Sequence, residues 1–167
     1  GVYIHRMYSN TSQRGGVNDI ALIALAQPFT LDPYIQTVGL PRSPRQQGVV
    51  GTVASASTPG QNAIFRAPIP LVEVPPPGPV FVIYASAASS ALLCPGDSGS
   101  GFVTVENGRA TVRGIASQGT TTGCMTLSGS TDFTDVFTYH DWIIQTMDKG
   151  DNFLSGNTRV RRSGRAA

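Results

Sequence analysis

Cys94-Pro95-Gly96-Asp97-Ser98-Gly99-Ser100-Gly101 is the stretch of this sequence best suited to chemistry. It sets a hydroxyl next to a carboxylate and between glycines. Glycine lets the backbone adopt angles that a Cβ forbids and leaves the Ser98 oxygen uncrowded. Successive N–H groups in such a turn converge on one point, which suits an oxyanion that develops during attack on a carbonyl. The same tetrapeptide also serves as a plain turn between strands, so the rest of the chain decides its meaning. A serine hydroxyl is a weak nucleophile until a base takes its proton. The chain offers two histidines for that task, His5 and His140.

The elements around this stretch read as short strands. Val2-Tyr3-Ile4-His5-Arg6-Met7-Tyr8 alternates loosely and is expected to be a strand. Asn18-Asp19 opens Ile20-Ala21-Leu22-Ile23-Ala24-Leu25, an apolar run too short for most helices and suited to a buried strand. Residues 48–57, 64–74 and 80–84 read as three further strands, with the stiff turn Pro75-Pro76-Pro77-Gly78-Pro79 before the last of them. Residues 42–47 are polar and form a crossing between two packed units. Asn107-Gly108 between two β-type runs predicts a hairpin. Residues 133–137 read as the last strand. Val136, Tyr139 or His140, Ile143 and Met147 then follow helical spacing, with Thr134 or Asp135 as N-cap. The sequence thus divides into residues 1–41, residues 42–150 with the terminal helix, and a polar tail over residues 151–167.

Composition narrows the function classes. Of 167 residues, 19 are Gly and 12 Pro, and only 13% are charged, a balance that favours strands and turns over long helices. The net charge of +2 comes from the tail. Residues 1–150 carry eight basic and nine acidic side chains, a net −1, whereas Arg159, Arg161, Arg162 and Arg165 face only Asp151 in the last segment. The body lacks the basic face a nucleic-acid partner requires. No apolar run approaches the length of a membrane-spanning helix. Two cysteines, Cys94 and Cys124, permit one disulfide. With two histidines and no CxxC the sequence holds no zinc pattern, and neither a metal nor a cofactor is expected. Asn10-Thr11-Ser12 matches the acceptor pattern for N-glycosylation. The chain opens at Gly1 rather than Met and shows no signal-peptide pattern, as a processed or cut N-terminus would.

Four segments, in this order, resemble the trypsin/chymotrypsin family of serine proteases: Asn18-Asp19-Ile20-Ala21-Leu22, Gly96-Asp97-Ser98-Gly99, Gly114-Ile115-Ala116-Ser117-Gln118-Gly119 followed by Cys124, and Tyr139-His140-Asp141-Trp142-Ile143. The resemblance implies an all-β fold of chymotrypsin-like Greek-key β-barrels with a C-terminal α-helix. Residues 1–41 would be the remainder of a first, incomplete barrel. It makes Ser98 the nucleophile, the N–H groups of Gly96 and Ser98 the oxyanion hole, and Asp19 the acid that orients the catalytic histidine. Ser117 would lie near that acid, and the backbone of Ser117, Gln118 and Gly119 would pair with an extended polypeptide substrate. Leu92 and Thr131 would line the specificity pocket, without a carboxylate to favour Arg or Lys. Cys94 and Cys124 would form the disulfide bracing that pocket, worth about 3–4 kcal/mol and implying a secreted, extracellular protein.

The departures from the family pattern are as informative. His5 lies fourteen residues before Asp19, far closer than the family's catalytic histidine, and reads as an ordinary strand residue. His140 reads as a surface residue of the terminal helix. The histidine is therefore expected on a missing N-terminal segment or on another chain. The family's activating amino terminus is missing with it, which leaves Asp97 without its partner and the chain zymogen-like and inactive alone. The rival expectation is a non-catalytic protease homologue that serves as a binding or regulatory module. An α/β-hydrolase elbow is excluded, because Ser100 stands where that G-x-S-x-G motif needs glycine.

Overall fold

The computed structural model describes residues 1–10, 17–46, 49–55, 65–70, 80–84, 95–119 and 130–155. It contains two antiparallel sheets and one terminal helix, the all-β class expected. The small sheet pairs β1 (Val2–Ile4) with β2 (Ala21–Ile23). The large sheet is built from β3 (Val50–Ser55), β4 (Phe65–Pro70), β5 (Val80–Tyr84), β6 (Gly101–Glu106), β7 (Arg109–Gly119) and β8 (Ser130–Asp135). Its order is β4-β3-β6-β7-β8-β5, all antiparallel. Among the described residues β4 and β5 stand at the two ends of that order, so the described strands do not close the expected barrels.

Local sequence explains the elements. The β6–β7 hairpin turns at Asn107 and Gly108, both in the left-handed region with φ of 51° and 76°, as a tight turn of this kind demands. Phe102 and Phe133 are fully buried, their rings 5.8 Å apart between β6 and β8, with Val53 of β3 buried as well. Gly51 leaves room for this packing. A Cβ built there would overlap the edge of the Phe102 ring, 2.7 Å from Cε1. Gly51→Ala is therefore expected to destabilise by about 1–3 kcal/mol, since a fully buried ring has nowhere to move. Denaturant unfolding checks this, and a change under about 0.5 kcal/mol would contradict it.

The apolar run after Asp19 is a strand, as expected, but it is not buried throughout. Ile20 is buried, whereas Ile23 is 72% and Leu25 45% exposed. Successive side chains of a strand point to opposite faces, and only one face of β2 packs on the molecule. Similarly, β1 stops at Ile4 because the chain turns. The Tyr8 N–H donates to the His5 carbonyl at 2.9 Å, and the Met7 N–H donates to His5 Nδ1 at 3.3 Å.

The C-terminal helix begins as a 3₁₀ turn (Val136–Tyr139) and continues as α1 (His140–Ser155), past the boundary expected at residue 150. Asp135 caps it by accepting the Phe137 N–H at 3.3 Å. Val136, Tyr139 and Ile143 anchor it as predicted, packed with Ile20 against Leu22, Leu40, Val112, Ile115 and Trp142. Met147 does not, being 53% exposed, while Thr146 and Gly150 face inward. Three residues per turn in the opening 3₁₀ segment advance the phase of the buried face, which moves the later anchors one position earlier than a pure α-helix predicts.

Two ion pairs fix the linker before β3. Arg45 pairs with Asp135, both side chains almost fully buried. Arg113 pairs with Glu106 and also donates to the Ser43 carbonyl. Burial alone would raise the Glu106 carboxyl, but its bonds to the Arg113 guanidinium and the Thr104 hydroxyl outweigh that and hold it below the ordinary carboxylate value. A depressed folded pKa means that its contribution is present above the unfolded value and disappears as pH falls through the folded one. Acid titration of stability should show this loss in the parent protein and not in Glu106→Gln; equal acid sensitivity in both would contradict it.

Candidate active site

Three segments converge at the candidate site. The turn over residues 95–100 is tied to β7 by two backbone bonds, Gly99 N–H to the Ala116 carbonyl and Ala116 N–H to the Ser100 carbonyl, both 2.8 Å. A third bond, from Ser100 N–H to the Asp97 carbonyl at 3.0 Å, closes the turn. Gly96 and Gly99 take φ of 103° and 90°, angles that side-chain-bearing residues rarely adopt. A Cβ at Gly99 would meet nothing within 4 Å, so backbone angle rather than space requires glycine there. Ser98 is exposed at the tip, while Asp97 beside it is buried. Among the described residues no hydrogen bond occupies the N–H of Gly96 or of Ser98. Asp97 has an interaction partner of its own in this structure.

Ser117 joins this turn to Asp19. It sits where the β7–β8 register slips, between Ala116, opposite Phe133, and Gln118, opposite Asp132. A bulge re-aims the side chain it carries, and here the Ser117 hydroxyl donates to Asp19 Oδ2 at 2.6 Å. The Ser117 carbonyl in turn accepts a long bond of 3.4 Å from the Ser98 hydroxyl. One residue thus contacts both the predicted nucleophile and the predicted acid, which lie 19 and 98 positions from it in the sequence.

Asp19 is held from several directions. Its carbonyl accepts the Thr134 hydroxyl at 2.8 Å. Asn18, just before it, has φ of 56° and bridges two segments: its Nδ2 donates to the Met7 carbonyl at 3.0 Å, and its Oδ1 accepts the Tyr139 hydroxyl at 3.1 Å. Burial pushes the Tyr139 phenol above its ordinary value, the Asn18 backbone opposes this, and the Asp135 and Asp19 carboxylates push upward again. The phenol therefore stays a donor at neutral pH. Sequence reading missed Asn18 and Thr134. The tolerance of Asn for the left-handed region was the signal for the first, and nothing in sequence separated Thr134 from a helix cap.

The remaining predicted residues are placed as follows. Gln118 is exposed on β7, Gly119 pairs with Thr131 on β8, and Thr131 is buried. Leu92, Cys94 and Cys124 lie outside the described residues, and with them the expected disulfide. The His5 ring packs against Tyr139 and Trp142, with centroids 5.5 and 5.1 Å away. His140 Nδ1 lies 3.4 Å from Asp141. Neither imidazole is a hydrogen-bond partner of Ser98 or Asp19. Among the described residues no helix is long and apolar enough to cross a membrane.

The family model for trypsin matches residues 1–143. Over 144 residues the chain is 31% identical to Trypsin-2 of Salmo salar, an alignment covering 78% of this chain and 59% of that protein. It is 27% identical over 175 residues to Chymotrypsin-like elastase family member 1 of Bos taurus, covering 85% of this chain and 59% of that protein. The chain therefore spans about six-tenths of the length of the curated relatives it matches.

Proposed function

The chain belongs to the trypsin family of serine proteases, and on that premise we propose that it is the C-terminal part of a secreted serine endopeptidase with Ser98 as nucleophile. The observation that carries this reading is Ser117, bonded through its hydroxyl to Asp19 and through its carbonyl to Ser98. In the reaction the Ser98 oxygen attacks the scissile carbonyl of a polypeptide while a histidine accepts its proton. That histidine lies on a segment that this chain does not contain. Asp19 orients the imidazole and stabilises its charged form. The N–H groups of Gly96 and Ser98 take the negative charge of the tetrahedral intermediate. The imidazolium then protonates the leaving amine, and water hydrolyses the acyl group from Ser98.

Substrate chemistry follows from the same site. The backbone of Ser117, Gln118 and Gly119 pairs with an extended peptide. Leu92 at the base of the pocket and Thr131 on its wall give a preference for uncharged side chains of small or medium size over Arg and Lys. A Cys94–Cys124 disulfide braces that pocket.

The exposed apolar side chains of the small sheet support a covering segment. Val2 is 66%, Ile4 65% and Ile23 72% exposed, on a two-stranded sheet of a kind that is marginal by itself. The segment that covers them is the one that supplies the histidine, so the chain alone is inactive and zymogen-like.

The coding sequence upstream of Gly1 tests this. A histidine followed closely by a cysteine, some tens of residues before Asp19, supports the enzyme. Its absence favours the second reading, a non-catalytic homologue acting as a binding module, an alternative kept open because neither His5 nor His140 is a hydrogen-bond partner of Ser98.

A further inference from the structure

The geometry points to Asn18 and Tyr139 as positioning residues that aim the Asp19 carboxylate, so that the start of the C-terminal helix sets the geometry of the acid. This rests on the reading of Asp19 as the acid that orients the catalytic histidine.

Asp19 cannot be aimed by its own strand. It lies before β2, at the end of a loop, and the Ile20 N–H donates to the Asn18 carbonyl at 2.9 Å rather than to a neighbouring strand. The left-handed angle at Asn18 turns the chain at this point. That angle is held by two side-chain bonds of opposite sense, to the Met7 carbonyl and from the Tyr139 hydroxyl. Tyr139 is itself 5% exposed, packed with Ile20, Val136 and Ile143, and covered on one ring edge by His5. Its hydroxyl is therefore a fixed donor at a fixed place. The Asp19 carbonyl is pinned on the same side by Thr134, one residue before the helix cap Asp135. Backbone turn and carbonyl are thus both referred to the β8–helix junction, and the Asp19 carboxylate emerges from between them to meet Ser117. Tyr139 and Asn18 touch neither Ser98 nor the predicted oxyanion donors, so they act only through the acid.

Two substitutions in the longer protein that carries the histidine test this. Tyr139→Phe removes one hydroxyl and keeps the ring. Asn18→Gly keeps access to the left-handed angle and removes both side-chain bonds. The expected result is a fall in kcat of about tenfold for Tyr139→Phe and about 10²-fold for Asn18→Gly, with KM within about twofold, because small displacements of a catalytic group carry costs of this order. The acid limb of the pH–rate profile moves to lower pH, since a displaced carboxylate stabilises the imidazolium less. The double variant is no worse than Asn18→Gly alone, because both changes remove the same bond. Tyr3→Phe serves as control: it removes a phenol hydroxyl beside Gly150 of the same helix and leaves kcat unchanged. A fall in melting temperature with kcat and the pH profile unmoved, or fully additive losses, overturns the proposal. Crystal structures of the variants give a readout independent of turnover. Opening of the 2.6 Å Ser117–Asp19 contact supports the positioning role, and its retention in both variants overturns it. If the parent protein shows no Ser98-dependent turnover, the catalytic reading fails and this distance alone decides the positioning claim.

Discussion

Replacing Ser98 by alanine in the longer protein is expected to lower kcat on a peptide substrate by about 10⁴-fold or more, with KM changed little. The reason is structural as well as chemical. Ser98 stands exposed at the tip of a turn whose glycines, at φ of 103° and 90°, hold it clear of its neighbours. Among the described residues its hydroxyl makes one long bond, 3.4 Å to the Ser117 carbonyl, and is easily released for attack. Alanine leaves the turn, its two bonds to β7 and the Gly96 N–H in place, so binding persists while the covalent step is lost. Steady-state kinetics with a neutral peptide substrate measures this. Retention of activity within tenfold would show that another group performs the attack.

Asp19→Asn is expected to cost a comparable factor, about 10⁴ in kcat, without loss of the fold. The Ser117 hydroxyl donates to Asp19 Oδ2 at 2.6 Å, and the amide oxygen of asparagine can accept that same bond. With its oxygen held there, asparagine turns its NH₂ toward the imidazole. A donor in that place stabilises the wrong tautomer, with the unprotonated nitrogen facing the amide and the proton facing Ser98, so the base can no longer take the serine proton. The Thr134 bond to the residue-19 carbonyl is unaffected, which predicts a melting temperature near that of the parent. A kcat within tenfold of the parent, or a collapse of stability in place of activity, would contradict the role given to Asp19.

Much of this was legible in the sequence because the signals were local. Asn107-Gly108 named its hairpin, and the apolar run over residues 80–84 coincides with β5. Glycine flanking singled out the turn around Ser98, whereas only the family resemblance proposed a role for Asp19. What the sequence could not show is set by packing or by register. Ile23 and Leu25 look like core residues but are exposed, because the described residues cover only one face of β2. Met147 fits a helical face, yet the 3₁₀ turn at Val136–Tyr139 shifts that face to Thr146 and Gly150. The family resemblance implied Ser117 beside Asp19, but the register slip between β7 and β8 at which it sits is announced by no residue in the strand. The Asn18–Tyr139 bond spans 121 positions and has no local trace at all.

The central claim is that Ser98 is a nucleophile whose base lies outside these residues. Fluorophosphonate labelling, read by mass spectrometry of the peptide containing Ser98, tests it most directly. The longer protein is expected to be labelled at Ser98, and the chain beginning at Gly1 is not. Labelling of this chain at a comparable rate would place the base within it, and absence of labelling in the longer protein would show that Ser98 is not activated.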